Sequence, residues 1–242
     1  SLSFSSWKGG SDTETLLECI SQWGINTTLK SLSGMFAFAL WDIECQSLIL
    51  ARDRLGEKPL YYGWSNNNFV FGSELKALKK IPKFNNPINR DALALYFQFS
   101  NIPSPYSIYE DIHKLEPGHF LILKRNQLNK KVTEINPFWT VNEAAKKSGN
   151  NIILDVNEAI TETESCLRRS LSEQSIADVP LGAFLSGGID SSLIVSLLQT
   201  QSNKPIQTFT VGFDEKKFDE SIYAAEVANH LGTEHNEIRD NY

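Results

Sequence analysis

Short apolar runs separated by polar turns dominate residues 35–71 of the chain. Aromatic and aliphatic residues form four such runs, which predict buried β-strands at 35–41, 48–52, 60–62 and 69–71. Before these runs, apolar residues recur at helical intervals over residues 11–23. After them, the pattern predicts helices at 74–81 and 91–99 and a strand at 119–123. The first half of the chain is therefore predicted to be an α+β domain.

The second half of the chain alternates predicted helices with predicted strands. After a helix that ends near residue 173, the pattern predicts a buried strand at 181–185, a glycine loop at 186–191 and a helix at 191–200. A second strand follows at 206–211 and a second helix at 221–230. This alternation is typical of a parallel α/β sheet. Two strand-helix units cannot cover both faces of a parallel sheet, so the pattern predicts only the beginning of such a domain.

A polar stretch and a change in charge both indicate a domain boundary near residue 145. Residues 142–157 are mostly polar, as expected for an exposed linker. Residues 1–144 carry 15 basic and 14 acidic side chains, whereas residues 145–242 carry 8 and 15. The sequence therefore predicts a first domain at residues 1–143, a linker at 144–154 and a second domain at 155–242.

Composition excludes several classes of protein. The chain has 242 residues, 41% of them hydrophobic, and a formal net charge of −6, which argues against a general nucleic-acid surface. No apolar run reaches the roughly 18 residues of a transmembrane helix, so no membrane partner is predicted. Three cysteines without close pairing indicate no disulfide framework, and a reducing, cytoplasmic location is predicted.

Charged residues outside the glycine loop are interpreted as structural. Arg52, Asp53 and Arg54 follow a predicted strand and are expected to form ion pairs beside it. The four histidines show no zinc-binding spacing, so no metal site is predicted at them.

The glycine loop 186–191, with the sequence Ser-Gly-Gly-Ile-Asp-Ser, is the strongest chemical motif of the chain. Glycines bring backbone N–H groups close to an anion, and the helix that follows presents unpaired N–H groups, so the loop is suited to phosphate. It is neither a Walker loop nor a GxGxxG fingerprint. The hydroxyls of Ser186 and Ser191 can add donors, whereas Asp190 would repel phosphate unless Mg²⁺ lay between them. The alternative is a tight turn with Asp190 or Ser191 as helix cap.

At this loop the chain resembles the ATP pyrophosphatases, and in its wider context the glutamine-hydrolysing asparagine synthetases. The supporting segments surround the loop at 179–185, 209–213 and 226–235. The resemblance implies that ATP and its pyrophosphate are bound by Leu185, Ser186, Gly187, Gly188, Asp190, Ser191 and Val211. Within this set, Leu185 and Val211 would contact adenosine and Asp190 would hold Mg²⁺. From the residues alone, Leu185 and Val211 are better explained as buried strand residues.

The first half resembles the distal part of the glutaminase domain of the same family. The matching segments are 11–14, 34–39, 51–56, 58–62 and 72–76. The resemblance implies an Ntn-type αββα sandwich, truncated at its N-terminus, in which Asp12 holds the α-amino group of glutamine. The spacing of Ser11 and Glu14 also fits a helix capping box that includes Asp12, and both roles can hold at once.

The family's glutaminase uses an N-terminal cysteine that precedes the aspartate motif, and no cysteine here matches it. No catalytic residue is therefore assigned, and the chain is expected to be an internal piece of a longer enzyme. The resemblance implies that this enzyme converts aspartate, ATP and glutamine into asparagine, AMP, pyrophosphate and glutamate, with ATP and Mg²⁺ required. Two alternatives stay open: amidation of another carboxylate, such as a sugar or peptide acid, and a truncated, non-catalytic nucleotide-binding module.

Overall fold

A computed structural model of the chain describes residues 7–149, 152–215, 217 and 219–240. The chain divides into two compact units, Ser1–Asn150 and Asn151–Tyr242. Among the described residues, no helix combines the length and apolar character that a membrane crossing requires.

The first unit contains two antiparallel sheets and several short helices. Its α-helices are α1 (Asp12–Trp23), α2 (Ile25–Ser31), α3 (Leu75–Leu78), α4 (Arg90–Phe99) and α5 (Val141–Ser148). Its strands are β1 (Ala37–Asp42), β2 (Ser47–Arg52), β3 (Tyr61–Ser65), β4 (Asn68–Gly72), β5 (Ile112–Lys114), β6 (His119–Lys124) and β7 (Glu134–Pro137), and a 3₁₀ helix spans Arg125–Lys130. The strands pair in the orders β1-β2-β6-β7 and β4-β3-β5.

Alternation along β2 and β6 places apolar side chains on both faces of the four-stranded sheet. On one face, Leu50 and Leu121 form a buried cluster with residues of the three-stranded sheet, among them Tyr62. On the other face, Ile49 and Phe120 pack with Leu29 of α2.

The outer face of the three-stranded sheet is covered as well. Val70 of β4 and Ile112 of β5 form a buried cluster with Leu78 of α3. The first unit is therefore built in layers. Helix α2 packs on the four-stranded sheet, that sheet packs on the three-stranded sheet, and the three-stranded sheet packs on helix α3.

The second unit is a three-stranded parallel sheet with helices. It consists of α6 (Val156–Gln174), β8 (Gly182–Phe184), α7 (Ile189–Gln201), β9 (Gln207–Phe213), α8 (Ser221–Leu231) and β10 (Glu234–Asp240). The strand order is β10-β9-β8, and both neighbouring pairs are parallel. A small core forms where Leu185, directly after β8, packs with Val195 of α7 and Ala224 and Ala228 of α8.

Two predictions about local structure need correction, and helix α2 and strands β5, β7 and β10 were not predicted. The polar stretch read as linker begins with helix α5, which Thr140 caps by accepting a hydrogen bond from the Glu143 N–H at 3.2 Å. The strand expected to be buried at 181–185 is an edge strand, and its Phe184 side chain is 83% exposed. Strand β10 was not predicted at all, because its sequence is polar and its partner β9 supplies the pairing.

Candidate functional sites

Asp12 lies at the first position of α1, where its side chain is exposed. Its Oδ1 receives only long contacts from the hydroxyls of Ser11 and Thr13, at 3.4 and 3.5 Å. It lines a cavity of about 600 Å³ together with Phe36, Lys58 and other residues of the first unit. The carboxylate is therefore available to a cationic group in that cavity.

The cap of α1 differs from the predicted capping box. The Ser11 hydroxyl accepts a hydrogen bond from the Thr13 N–H at 3.2 Å. The Glu14 carboxylate reaches past Ser11 and accepts from the backbone N–H groups of Lys8 and Gly9 at 2.9 and 2.8 Å. Asp12 makes no capping bond to the backbone among the described contacts, which leaves its carboxylate outside the cap.

The loop after β2 forms one wall of the same cavity, and Asp53 organises it. Asp53 is 1% exposed, and its carboxylate accepts hydrogen bonds from the backbone N–H groups of Phe36, Leu55, Glu57 and Lys58 at 2.9 to 3.3 Å. A buried carboxylate is stable only when its oxygens are satisfied in this way. Asp53 thus fixes the turn that delivers Lys58 to the cavity.

The neighbouring arginines also bind backbone groups, so the predicted ion pairs are wrong. Arg52 donates to the carbonyl oxygens of Gly56, Lys58 and Leu115 at 2.6 to 2.8 Å. Arg54 donates to those of Lys30 and Leu32 at 2.8 and 2.5 Å. The structural role predicted for these residues holds, but carbonyl oxygens replace carboxylates as the acceptors.

We expect Asp53→Asn to lower the free energy of unfolding of the first unit by about 3 kcal/mol, because an amide turns one acceptor into a donor that faces backbone N–H groups. Burial raises the pKa of Asp53, but hydrogen bonds from the N–H groups of Lys58, Glu57 and Phe36 outweigh it and the net pKa is lowered. The carboxylate's contribution is therefore complete above the unfolded pKa of about 3.9 and is lost as pH falls through the lower folded pKa.

Urea unfolding at neutral pH and at progressively lower pH measures both effects. All five tryptophans lie at or before residue 139, so their fluorescence follows the first unit. Asp91→Asn, at an exposed helical position, is the matched control. A stability loss equal to that of the control, or an unchanged acid limb, would contradict the role assigned to Asp53.

The glycine loop connects the carboxyl end of β8 to the first turn of α7. Gly187 has φ +76°, and a Cβ there would lie 2.6 Å from the Cβ of Tyr223 in α8. Gly188 is the N-cap of α7, and no side chain caps this end of the helix. The first N–H groups of a helix have no intrahelical partner, so those of α7 remain available to a ligand.

The two serines of the loop bind each other. Their Oγ atoms are 2.9 Å apart, the Ser186 N–H donates to the Ser191 Oγ at 3.3 Å, and the Ser191 hydroxyl lies 3.2 Å from the Gly188 carbonyl oxygen. These bonds close the turn across its base. Sequence reasoning predicted the hydroxyls as donors but gave no indication of this pairing.

The remaining residues predicted to bind the nucleotide differ in exposure. Asp190 is exposed in the first turn of α7, and Val211 is 42% exposed on the adjacent strand β9. Leu185 is 1% exposed, and its N–H donates to the Phe209 carbonyl oxygen at 2.9 Å. The interpretation as a buried strand residue therefore describes Leu185 but not Val211. Tyr223, which packs against Gly187, was missed because no pattern in the sequence links it to the loop.

No cluster of three or more His, Cys, Asp or Glu side chains suited to a metal ion occurs in the part of the chain that the structure describes. Asp190 is the carboxylate within loop 186–191. In proteins, Mg²⁺ commonly binds one or two carboxylates and completes its coordination shell with phosphate oxygens and waters. One carboxylate beside a phosphate-binding loop is consistent with this coordination.

Family models cover most of the chain. The model of the glutamine amidotransferase domain matches residues 2–139, more than half of the chain. The chain belongs to the glutamine amidotransferase family. A second model, asparagine synthase, matches residues 162–240 of the chain. Both halves of the resemblance found in the sequence are thereby confirmed.

Curated relatives align with nearly the whole chain. Asparagine synthetase (glutamine-hydrolysing) 1 of Bacillus subtilis is 36% identical over 224 residues, which cover 93% of this chain and 33% of that protein. A Methanocaldococcus jannaschii protein provisionally named asparagine synthetase (glutamine-hydrolysing) 2 is 38% identical over 230 residues, which cover 93% and 42%. Amidase chry2 of Gibberella zeae is 32% identical over 243 residues, which cover 93% and 34%. The chain thus spans 33 to 42% of the length of these relatives.

Among solved structures, glutamine phosphoribosylpyrophosphate amidotransferase from B. subtilis aligns over 98% of this chain and 42% of its own. The sequence identity is 18% and the TM-score is 0.39. The family assignment therefore depends on the sequence matches.

Proposed function

We propose that this chain is part of a glutamine-hydrolysing asparagine synthetase, in which residues 1–143 belong to the glutaminase domain and residues 155–242 begin the ATP-pyrophosphatase domain. The two family models occur in this order, and relatives carrying that name align with 93% of the chain. Such an enzyme takes ammonia from glutamine and uses ATP to activate aspartate for amidation. Within it, the first unit belongs to an Ntn-type αββα sandwich, and the enzyme is cytoplasmic.

The observation that carries the nucleotide proposal is the position of loop 186–191. In open α/β sheets, ligands bind outside the carboxyl ends of the strands, and an uncapped helix N-terminus attracts phosphate. The loop leaves the carboxyl end of β8 and enters α7 without a side-chain cap. We assign Ser186, Gly187, Gly188 and Ser191 to the phosphate groups of ATP.

Asp190 and Val211 complete the proposed nucleotide site. Asp190 would hold Mg²⁺, whose positive charge offsets the repulsion between carboxylate and phosphates and stabilises the leaving pyrophosphate. Val211 offers an exposed apolar surface to the adenosine part. Leu185 was assigned to adenosine too, but its buried side chain supports the strand behind the site, so Val211 is the side chain available for contact.

In the first unit, we propose that the cavity of about 600 Å³ binds glutamine and that Asp12 binds its α-ammonium group. The exposed carboxylate, free of capping bonds to the backbone, supports this role. None of the described residues that line the cavity is a cysteine, and we assign no nucleophile.

The acceptor can differ from aspartate without any change in the described residues. One relative that aligns with 93% of the chain is named an amidase and not an asparagine synthetase. Amide chemistry on a substrate other than aspartate, such as amidation of another carboxylate, is therefore the second candidate function. The glutamine and nucleotide sites proposed above serve both candidates equally.

Asp190→Asn is expected to weaken binding of Mg-ATP to the chain at least tenfold, because it removes the carboxylate that anchors the metal, and to leave binding of ATP in excess EDTA unchanged or tighter. Isothermal titration calorimetry with and without Mg²⁺ measures both. Glu162→Gln, which removes an exposed carboxylate from α6, is the matched control. Equal Mg-ATP affinities in the two variants, or no Mg-ATP binding by the unaltered chain, would count against the proposed nucleotide site.

A further inference from the structure

A second cavity of the first unit, of about 300 Å³, has a cationic wall. Its lining includes Arg52, Tyr61, Asn101, Ser104 and Lys114. None of the described residues that line it carries a carboxylate. Two positive side chains therefore share one small cavity without an acidic group among its walls.

Arg52 is buried in a way that leaves its charge incompletely neutralised. The residue is 9% exposed, and three of its N–H groups donate to carbonyl oxygens. A guanidinium has five such donors, so two remain. Among the described residues, Arg52 forms no ion pair within 4.0 Å. Burial lowers the pKa of Arg52, and the charge of the adjacent Asp53 offsets this only in part.

Lys114 is half-buried and lines the same cavity. Its ammonium group donates to the carbonyl oxygen of Ile102, and at least two further donors are available. Burial lowers the pKa of Lys114, and the charge of Arg52 lowers it further. Buried like charges are costly unless an opposite charge lies between them.

We propose that this cavity binds a small oxyanion, a phosphate or a carboxylate, between Arg52 and Lys114. The two guanidinium N–H groups that remain can donate to an oxyanion, and the ammonium group adds a second positive charge and further donors in the same cavity. Asn101 and Ser104 supply neutral donors to the remaining oxygens.

The location of the cavity links it to the proposed glutamine site. Pro59 lines both cavities, and Arg52 holds the carbonyl oxygens of Gly56 and Lys58 in the loop between them. An oxyanion bound to Arg52 would therefore act on the wall that presents Lys58 to the glutamine cavity. This link rests on the proposed function, whereas oxyanion binding itself does not.

Titration of the full chain with sodium phosphate and, separately, with sodium succinate at constant ionic strength tests the site without glutamine or ATP. Because loop 186–191 is itself a proposed phosphate site, binding at this cavity is taken as the part that Lys114→Gln loses relative to Lys124→Gln. We expect saturable binding of at least one anion in calorimetry, with a rise in Tm. Lys114→Gln should weaken it at least tenfold, whereas Lys124→Gln, at an exposed position on β6, should not. The arm that saturates at the lower concentration identifies phosphate or carboxylate as the preferred oxyanion.

A second variant covers the case in which Lys114→Gln does not fold. Asn101→Asp places a carboxylate in the cavity, so it should abolish binding of the added anion while preserving or raising Tm. Absence of saturable binding by the unaltered chain, equal affinity in the Lys114 and Lys124 variants, or undiminished binding by the Asn101→Asp variant would overturn the proposal.

Discussion

Gly63→Ala is expected to lower the free energy of unfolding of the first unit by at least about 4 kcal/mol, a loss that only a few structural mechanisms produce. Gly63 pairs with Val70 of β4 on one side and with Ile112 of β5 on the other. A Cβ at this position would lie 1.9 Å from the carbonyl oxygen of Asp111. That oxygen cannot move away freely, because it accepts the hydrogen bond of the Trp64 N–H at 2.9 Å. The substitution must therefore separate β3 from β5.

Urea unfolding followed by tryptophan fluorescence measures this loss. Gly10→Ala provides the matched control, because a Cβ on Gly10 meets no atom within 4 Å and its backbone does not have a positive φ. We expect the control to retain the unfolding midpoint of the unaltered chain. If Gly63→Ala unfolded at the same midpoint as Gly10→Ala, the close contact between β3 and β5 would be refuted.

Gly187→Ala is expected to eliminate measurable Mg-ATP binding and to cost at least about 2 kcal/mol of stability in the second unit, because it combines backbone strain with a steric conflict. Its φ of +76° disfavours any side chain. The added Cβ would also lie 2.6 Å from the Tyr223 Cβ and 2.9 Å from the Ala224 N, both in α8. Relief requires the loop or the helix to move, and either movement displaces the phosphate-facing N–H groups.

The neighbouring glycine supplies the control within the same loop. Gly188 has φ −75°, and a Cβ there would approach only the Ser186 Oγ, at 3.4 Å. We therefore expect Gly188→Ala to keep the urea midpoint measured by circular dichroism, and Gly187→Ala to lower it. Calorimetry with Mg-ATP then reports on binding. Equal midpoints for the two variants would show that the contact with α8 does not hold the loop.

Local pattern predicted most of the elements because it reflects local causes. The apolar runs that became β2 and β6 alternate between two buried faces, and helix α1 begins at the serine that the sequence indicates. Burial was predicted less well. Phe184 is apolar yet 83% exposed, because no described residue covers its side chain and what packs on a strand is not readable from the strand's own residues. Strand β10 is polar and depends on β9 for its pairing, so its own residues gave no indication of it.

In the candidate sites, too, features that are local in the sequence were predicted and contacts between distant residues were not. Loop 186–191 was predicted because its glycines and its place between strand and helix are adjacent in sequence. The contact of Tyr223 with Gly187 and the four N–H bonds to Asp53 join residues that no local pattern connects. Asp53 was assigned to an ion pair because charge is visible in a sequence, whereas backbone donors are not.

The bond between the two loop serines has a consequence for how the loop would receive an anion. With their Oγ atoms 2.9 Å apart, Ser186 and Ser191 close the turn by a contact within the loop itself. The entropic cost of ordering the loop is therefore met during folding, so ligand binding does not include that cost. An arriving phosphate would meet a preorganised ring of donors and exchange one hydroxyl contact for another. Affinity at this loop should accordingly depend on charge and contact geometry and only weakly on loop flexibility.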